Sequence, residues 1–372
     1  MTTLPPFIFA TCQSGVENVL KREAARQYPF LRPAFSRRGF VTLKFADATQ
    51  PLEGFRFEAV FARAWGFTLG RVEVGDQAEA ARQVWKLIGE IPVRMVHVWP
   101  RDSAPPGQSD PDTPWPDEVE QIRSLISAAA PESVNLVAPD TTPRRGLRGQ
   151  WVLDCIIVDP DEWWVGIHRL EGPETFYPGG RFPLCLPEHA VSRAYLKMEE
   201  ALRWSQFPVP PNARWAELGS APGGASQALL DRGYEVLGVD PAEMHPAVLK
   251  HPKFTHLRRR TTQAPRRAFR KIRWLAADIN AAPNYTLDAV ESLVTYPQIN
   301  IRGMILTLKL PEWTLADRIP EYLERIRSWG YNVVRARHLW YNKQEICVAA
   351  LMRPFKRKPV VVRQKARRKR PT

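Results

Sequence analysis

The sequence predicts an α/β protein in which an open, mainly parallel sheet with helices occupies the second half and two α+β units precede it. Three observations lead to this prediction. The chain has 372 residues, enough for two or three domains of roughly 100–200 residues each. Strand-like and helix-like periodicities alternate along it. A stretch rich in glycine and proline, residues 172–187, separates the last unit from the others.

The first unit, residues 1–70, has a β-α-β order at its start. Residues 7–10 form a short apolar run typical of a strand, and residues 15–28 have apolar side chains at helical spacing. Strict alternation over residues 40–45 predicts a second strand. We expect a further helix at residues 52–61.

The second unit, residues 71–178, begins with a strand and a helix and ends with a predicted β-hairpin. The hairpin is indicated by two β-rich runs on either side of the turn Asp159-Pro160-Asp161-Glu162. The predicted elements are a strand at 71–74, a helix at 77–88, a strand at 93–98, a helix at 117–130, and hairpin strands at 151–158 and 163–170. Residues 102–116 and 141–149 are predicted loops because they are polar and contain glycine and proline.

The third unit, residues 185–355, contains the motif that points to chemistry. A strand at 215–218 is followed by Gly219-Ser220-Ala221-Pro222-Gly223-Gly224, a short helix, and a second strand that ends at Asp240. Glycines in such a turn let backbone amides approach a ligand closely. An acid at the end of the next strand can accept hydrogen bonds from both hydroxyls of a ribose. The motif therefore predicts a nucleoside-containing cofactor.

The spacing of the glycines narrows the choice of cofactor. G-x-x-x-G-G is neither the G-x-G-x-x-G of dinucleotide folds nor the phosphate-binding GxxxxGK[ST] loop. This disfavours a nicotinamide cofactor and ATP. S-adenosylmethionine, which contains adenosine but no phosphate, fits the motif best. A purely structural turn in an α/β domain is the alternative.

The charge of the chain points to a polyanionic partner. There are 53 Lys and Arg against 39 Asp and Glu, a formal net charge of +14, and nucleic acid is the usual partner of such a protein. An anionic membrane surface is the less favoured alternative. Residues 356–370 contain nine Lys or Arg and no acid, so we expect residues 356–372 to be a disordered basic tail attracted to phosphates, or else a solubilising tail.

Several classes of protein are disfavoured by what the sequence lacks. No apolar run approaches the roughly 18 residues of a spanning helix, and the start has no signal-peptide pattern, so we expect a cytoplasmic protein without a membrane partner. The four cysteines form no CxxC pair, which argues against a disulfide framework or a zinc site. His245, His251 and His256 fit no ligand spacing, so no metal is expected.

The motifs of the third unit resemble a known family. The glycine turn with Asp240, then Asp278, then Lys309-Leu310-Pro311, is similar to the FtsJ-like (RrmJ-type) 2′-O-ribose RNA methyltransferases. The RlmM family, bacterial enzymes that methylate a cytidine ribose of 23S rRNA, is the most similar group. The stretch from Ser192 to Glu200 resembles that family's motif ahead of the methyltransferase core. The resemblance covers most of residues 185–353.

The resemblance implies a Rossmann-like domain that binds S-adenosylmethionine and an RNA substrate, 23S rRNA, with no DNA partner. Over residues 1–175 the likeness is weaker, and it depends on Phe9-Ala10-Thr11-Cys12, the order of elements and the hairpin. There it implies a ferredoxin-like domain at 1–70 and a THUMP-like RNA-binding domain at 71–178. The cofactor contacts that it implies are Ser192, Gly219, Ser220, Ala221, Pro222, Gly223, Gly224, Asp240 and Asp278.

The family uses a Lys-Asp-Lys-Glu tetrad, and four positions of this chain match it: Lys197, Asp278, Lys309 and Glu345. Asp278 and Lys309 end predicted strands, and strand ends line the ligand crevice of an open parallel sheet. Attack by a ribose hydroxyl on the sulfonium methyl needs removal of the hydroxyl proton. Lys309 is the expected base, with Lys197 supplying a second positive charge.

A lysine acts as a base only when it has lost its own proton. A second ammonium or partial burial lowers its pKa, whereas nearby carboxylates raise it. Asp278 and Glu345 would orient the lysines and the hydroxyl but oppose a lowered pKa. Which influence prevails depends on distances that the sequence does not contain.

Two departures from the family concern the adenine side of the cofactor. Glu217 stands where the cofactor strand commonly has Asp, and Arg258-Arg259-Arg260 replaces a segment that carries an acid toward the cofactor.

Two other functions stay open. A base-directed RNA methyltransferase is disfavoured because Asp278 to Pro283 lacks the N-P-P-Y turn and no cysteine follows a proline. The second open function is that of an RNA-binding or ribosome-assembly factor without catalytic activity.

Overall fold

Two sheets of seven strands each, one in each half of the chain, organise the structure. The computed structural model describes residues 4–46, 54–137 and 145–352. The predicted tail at 356–372 and residues 141–144 of the predicted loop at 141–149 lie outside the described residues. None of the described helices is both long and apolar enough to cross a membrane.

The first half folds as one mixed sheet with helices against it. Its elements are β1 (Phe7–Thr11), α1 (Glu17–Gln27), β2 (Leu31–Arg37), β3 (Phe40–Phe45), β4 (Ala64–Glu73), α2 (Gln77–Ile88), β5 (Val93–Pro100), α3 (Asp117–Ala128), β6 (Trp151–Asp159) and β7 (Glu162–Arg169). The strand order is β2-β3-β1-β4-β7-β6-β5. Because β4 pairs with both β1 and β7, it crosses residue 70 and joins the two predicted α+β units in one sheet.

Most of the predicted elements of this half are confirmed. The strands at 7–10, 40–45 and 93–98 and the helices at 77–88 and 117–130 are present within two residues of their predicted ends. The predicted hairpin is also confirmed, with β6 and β7 antiparallel and Asp159 opposite Glu162. Helix α2 begins after Asp76, whose side chain accepts a hydrogen bond from the backbone N–H of Glu79 at 2.8 Å, a helix N-cap.

The helix predicted at residues 52–61 is wrong for the described part, since residues 54–61 contain no helix. The backbone N–H groups of Val60 and Phe61 donate to the carboxylate of Glu23 at 2.7 and 3.2 Å, so they cannot donate within a helix. Phe57 is buried against Tyr28, with ring centroids 5.2 Å apart. Tertiary contacts therefore outweigh the helical spacing of this segment.

The second half contains an open sheet with its helices. Its elements are α4 (Ala194–Ser205), β8 (Arg214–Leu218), α5 (Gly224–Asp231), β9 (Glu235–Val239), α6 (Pro246–Leu249), β10 (Phe254–Leu257), β11 (Trp274–Ala277), α7 (Pro283–Val294), β12 (Gly303–Lys309), α8 (Ile319–Ser328), β13 (Val333–Arg337) and β14 (Glu345–Leu351). The order is β10-β9-β8-β11-β12-β14-β13. The first five strands are parallel, and β14 runs antiparallel to both of its neighbours.

The strand order reverses between β8 and β11, because β9 and β10 lie on one side of β8 and β11 and β12 lie on the other. In open α/β sheets such a reversal leaves a crevice at the carboxyl ends of the strands, where ligands bind. The core under this crevice is closely packed. The rings of Trp215 on β8 and Trp274 on β11 stack with centroids 5.6 Å apart, and both are fully buried.

The two halves touch through the segment that joins β13 to β14. The backbone N–H of His338 donates to Val60 O at 2.7 Å. The Arg337 guanidinium donates to Arg63 O at 2.6 Å and pairs with Glu174 at 2.9 Å. These contacts place residues 338–344, which lead into β14, against the first half of the chain.

Candidate active site

The glycine turn after β8 forms a tight cradle at the carboxyl edge of the sheet. Gly219 has φ 77°, and a Cβ there would lie 2.6 Å from the carbonyl oxygen of Asp278. Gly223 has φ 120°, and its Cβ would lie 2.8 Å from Val248. A Cβ on Gly224 would collide with Ser192 Oγ. All three positions therefore exclude a side chain, as close approach of backbone to a ligand requires.

Asp240 lies next to this turn, as the sequence predicts. Its carboxylate accepts hydrogen bonds from Ala221 N at 3.1 Å and Ala242 N at 2.8 Å. Two carboxylate oxygens have about four acceptor positions, so capacity remains for the hydroxyls of a ribose. Ser220 is buried, with its Oγ 3.5 Å from Met244 Sδ. Thus the structure brings the predicted cofactor residues of β8, β9 and the turn together.

The four predicted tetrad residues converge from four elements. Lys197 comes from α4, Asp278 follows β11, Lys309 ends β12 and Glu345 begins β14. Lys197 Nζ lies 2.5 Å from Glu345 Oε1 and 3.6 Å from Asp278 Oδ2. Lys309 Nζ lies 3.0 Å from Asp278 Oδ1 and in close contact with Glu345 Oε2. Each lysine therefore faces both carboxylates.

The register of the sheet explains this convergence. Lys309 and Glu345 are directly opposite each other in the β12–β14 ladder. Ala277, the last residue of β11, pairs with Leu306, so Asp278 emerges beside the end of β12. Lys197 reaches the same edge from the first turn of α4. The carboxyl side chain of Glu345 is 5% exposed and that of Asp278 is 20% exposed.

Charge governs the ionisation of this cluster. Burial lowers the pKa of Lys309, but the charges and hydrogen bonds of Asp278 and Glu345 outweigh burial and raise that pKa above its ordinary value. Burial likewise raises the pKa of Glu345, yet the charges of Lys197 and Lys309 prevail and lower it. The balance left open by the sequence thus falls on the side of the carboxylates, and Lys309 rests as an ammonium.

Glu217 on β8 is a feature of the site to which the sequence assigned no role. It is buried in the cleft that Lys197 and Asp278 also line, and Ser226 Oγ donates to it. Burial raises the pKa of Glu217 to about 8, and the charges of Asp278 and Asp240 contribute to the rise. Glu217 is therefore protonated at neutral pH and can donate a hydrogen bond into the cleft.

Arg258, which departs from the family pattern, turns away from the tetrad. Its Nε donates to Pro241 O at 3.3 Å and its Nη2 pairs with Glu243 at 3.1 Å. Both Arg258 and Glu243 are exposed, with side chains 61% and 80% accessible. The arginine, which follows β10, therefore contacts the turn after Asp240 through its side chain.

Glu200 is a further residue that sequence reasoning missed. It is on α4, one turn after Lys197, and is fully buried. Its carboxylate accepts the backbone N–H groups of Trp340 and Tyr341 at 2.8 and 2.9 Å. Burial raises the pKa of Glu200 to about 7. The helix that carries Lys197 is thereby fastened to the segment that leads into Glu345.

A loop of the first half, residues 102–116, is also attached beside the tetrad. Arg193, just ahead of α4, pairs with Asp110 at 2.9 Å and Asp112 at 2.7 Å. Trp340 Nε1 and Arg181 both donate to Pro111 O, at 3.1 and 3.0 Å. The predicted loop is thus held against the catalytic half by contacts from three separate segments.

A separate polar cluster lies in the first sheet. Among the described residues, one group of three potential metal ligands occurs, His97, Asp154 and His168, with ligand atoms within 4.8 Å of one another. His168 donates to Asp154 at 2.6 Å and to Thr175 O at 2.9 Å. Burial lowers the pKa of His168, but Asp154 outweighs it and raises that pKa. His168 and Asp154 thus form a buried pair, whereas both ring nitrogens of His97 and Asp154 Oδ1 have no hydrogen-bond partner among the described residues.

Comparison with known proteins bears on the second half in particular. The FtsJ-like methyltransferase family matches residues 190–316. A protein of Halorhodospira halophila called ribosomal RNA large subunit methyltransferase M is 30% identical over 225 residues, which cover 58% of this chain and 60% of that protein. The protein of the same name from Chromohalobacter salexigens is 32% identical over 194 residues, covering 48% and 52%.

A more distant relative matches along most of its length. The ribosomal RNA large subunit methyltransferase M of Laribacter hongkongensis is 24% identical over 332 residues, 86% of this chain and 87% of that protein. By contrast, the two more similar relatives match over about half to three fifths of their own length. The matched family segment contains the glycine turn, Asp240, Asp278 and Lys309, so residues 190–316 of this chain are similar to the FtsJ-like methyltransferases.

Proposed function

We propose that this protein transfers the methyl group of S-adenosylmethionine to a ribose 2′-oxygen of ribosomal RNA, with 23S rRNA as its substrate. The observation that carries the proposal is the cluster of Lys197, Lys309, Asp278 and Glu345 at the carboxyl edge of the sheet. The names of the relatives, which are large-subunit rRNA methyltransferases, support the choice of substrate. We place the activity in the cytoplasm.

The cradle fits an adenosine-containing cofactor. Gly219, Gly223 and Gly224 exclude side chains from the turn, and Asp240 has acceptor capacity for ribose hydroxyls. When bound, S-adenosylmethionine supplies an electrophilic methyl group on a positively charged sulfur. The carboxyl end of β11, with Asp278, lies between this cradle and the two lysines. Asp278 is therefore suited to contact the cofactor on one side and the lysines on the other.

In the proposed reaction the glycine turn and Asp240 would hold S-adenosylmethionine, which would supply the methyl group that passes to the ribose oxygen. The hydroxyl proton passes to the neutral form of Lys309, and Lys197 keeps the local charge positive beside the oxygen. Asp278 and Glu345 hold both ammonium groups in fixed positions. Positioning of this kind contributes much of the rate in reactions between two bound groups.

The raised pKa of Lys309 has a direct kinetic meaning. At neutral pH only a small fraction of the Lys309 side chain is neutral. While the pH stays below the pKa, this neutral fraction rises about tenfold for each unit by which the pH increases. Transfer should therefore accelerate with pH throughout the physiological range.

We further propose that the first half captures RNA as a ferredoxin-like and a THUMP-like module, and that the basic residues 356–370 assist it. The positive charge of the whole chain, +14, supports binding to a polyanion. In this proposal the two modules share the first sheet through β4.

The test is methylation of rRNA from cells that lack the protein, with labelled S-adenosylmethionine, followed by nuclease digestion to nucleosides. We expect the label in a 2′-O-methylated nucleoside of 23S rRNA. Label on a base would instead favour the base-directed alternative. Tight RNA binding without any transfer would favour the noncatalytic assembly factor.

A further inference from the structure

A cavity of about 300 Å³ lies between loop 102–116 of the first half and the segment 338–343 that precedes Glu345. We call it the interface pocket. Its size is at the lower end of ligand-binding pockets, which range over about 300–1,000 Å³. Asn342 lines both this pocket and the cleft of Lys197 and Asp278. The interface pocket is therefore adjacent to the proposed site of methyl transfer.

Flat aromatic and guanidinium groups form one side of the pocket. Trp115 and Trp340 lie with ring centroids 6.0 Å apart at an interplanar angle of 85°. The Arg63 guanidinium is 4.5 Å from the Trp340 ring centroid. Arg181 approaches Trp115 and Trp340 at 5.2 and 5.1 Å. Unstacked bases of RNA are bound by stacking on such aromatic rings and arginine planes.

Two side chains that line the pocket each carry a buried polar atom without a hydrogen-bond partner. Gln13 Oε1 and Arg63 Nε have no hydrogen-bond partner among the described residues, and both side chains are less than 10% exposed. Both residues line the pocket. Buried polar atoms are normally paired, so an acceptor and a donor left over here indicate a ligand that presents both. The edge of a nucleobase does so.

The pocket is lined by side chains of both charges. Asp102 and Asp110 line it together with Arg63, Arg101 and Lys343. Asp102 is 3.5 Å from the Arg63 guanidinium, which it partly neutralises. The aromatic rings and the guanidinium planes, rather than the charge, therefore favour a nucleobase as the ligand.

We propose that the interface pocket binds a nucleobase of the RNA substrate, stacked on Trp115, while the neighbouring ribose reaches the tetrad. This proposal rests on the proposed function and specifies how its substrate is held. It also gives loop 102–116, fastened to the catalytic half by Arg193 and Arg181, a part in substrate recognition.

The test uses the full chain with saturating S-adenosylhomocysteine and fluorescence anisotropy of labelled RNA decamers. The probes are homodecamers of each of the four nucleotides and a decamer of abasic riboses with the same number of phosphates. Trp115→Ala should weaken binding of at least one homodecamer by about 5- to 140-fold, equivalent to the roughly 1–3 kcal/mol of one stacked base. Binding of the abasic decamer should change less than about twofold.

Two further variants make the result specific. Trp115→Phe keeps an aromatic face and should restore most of the affinity, which also guards against misfolding of the alanine variant. Trp164→Ala removes a half-buried tryptophan of β7 that packs on Phe35, with centroids 4.9 Å apart, outside the pocket. It should leave every decamer unaffected. Gln13→Leu should alter the order of preference among the four homodecamers.

Equal loss for base-bearing and abasic decamers, or no loss in Trp115→Ala, would overturn the proposal. The outcome is separable from the proposed function. If the wild-type chain methylates rRNA and Trp115→Ala keeps the preference for base-bearing decamers, only the nucleobase pocket is refuted. If the wild-type chain transfers no methyl group, the decamer comparison still reports on the pocket.

Discussion

Replacing Glu345 with glutamine removes the carboxylate that both lysines of the tetrad share. Lys309 Nζ is in close contact with Glu345 Oε2, and two unit charges about 3 Å apart interact by roughly 5 kcal/mol at an effective dielectric constant near 20. Water at the Lys309 side chain, which is 21% exposed, and relaxation around the new amide reduce this value. We therefore expect Glu345→Gln to lower the pKa of Lys309 by part of this energy, at roughly 1.36 kcal/mol per pH unit.

The pH dependence of single-turnover methyl transfer measures this change. With saturating RNA and labelled cofactor, the wild-type rate should rise about tenfold per unit to pH 10 without levelling, because the pKa of Lys309 is raised above 10.5. The Glu345→Gln profile should bend within the accessible range. Glu324→Gln, at an exposed residue paired with Arg327 at 3.3 Å, is the matched control and should follow the wild type. Profiles that bend at the same pH in wild type and Glu345→Gln would refute Lys309 as the titrating base.

Four other outcomes are expected. Lys309→Ala and Lys309→Arg should both keep cofactor and RNA binding while transfer drops by roughly 10²–10⁴-fold, because neither side chain accepts a proton at usable pH; an arginine variant with near-normal single-turnover rates would make Lys309 an electrostatic anchor. Asp240→Ala should weaken S-adenosylmethionine binding by about 1–3 kcal/mol, and unchanged affinity in calorimetry would remove Asp240 from the site. The pKa of Glu217 is about 8 in the folded protein against 4.5 ordinarily, so its contribution to stability is lost as the pH rises from 4.5 to 8. The melting temperature of the Glu217→Gln variant should therefore fall less than that of the wild type between pH 5 and 8.5. Equal declines of the two melting temperatures would contradict the raised pKa of Glu217. Deleting residues 356–372 should weaken binding to all RNAs and flatten its salt dependence, whereas an unchanged salt slope would show that this segment does not contact RNA.

Local sequence signals located the elements whose partners are near in the chain. Helix α2 has apolar spacing and a capping aspartate, and the β6–β7 hairpin has its turn in sequence, so both could be predicted. Strand β2 could not, because Pro33 interrupts it and the register with β3 shifts between Pro33 and Phe35. Proline is tolerated in this way at the edge of a sheet, where β2 lies.

The features of the candidate site likewise divide into those that the sequence could predict and those that it could not. Lys309 and Asp278 could be proposed from sequence because parallel strand ends share one edge of a sheet. The raised pKa of Lys309 could not, since it depends on separations of about 3 Å between side chains from different elements. The anchoring of Trp340 and Tyr341 by Glu200 was also hidden, because donor and acceptor lie about 140 residues apart.

The dependence of residues 338–344 on the first half has a consequence for the order in which the protein is made. Glu174 and the backbone of Val60 and Arg63, which hold His338 and Arg337, leave the ribosome well before those residues do. At roughly 5–20 residues per second, synthesis of the intervening chain takes on the order of 10–55 s, and domains generally fold as they emerge. The docking surface therefore exists before the segment that leads into Glu345 arrives. We expect the newly made protein to acquire its tetrad last, on a surface already folded, and a chain started after residue 185 to leave that segment without its template.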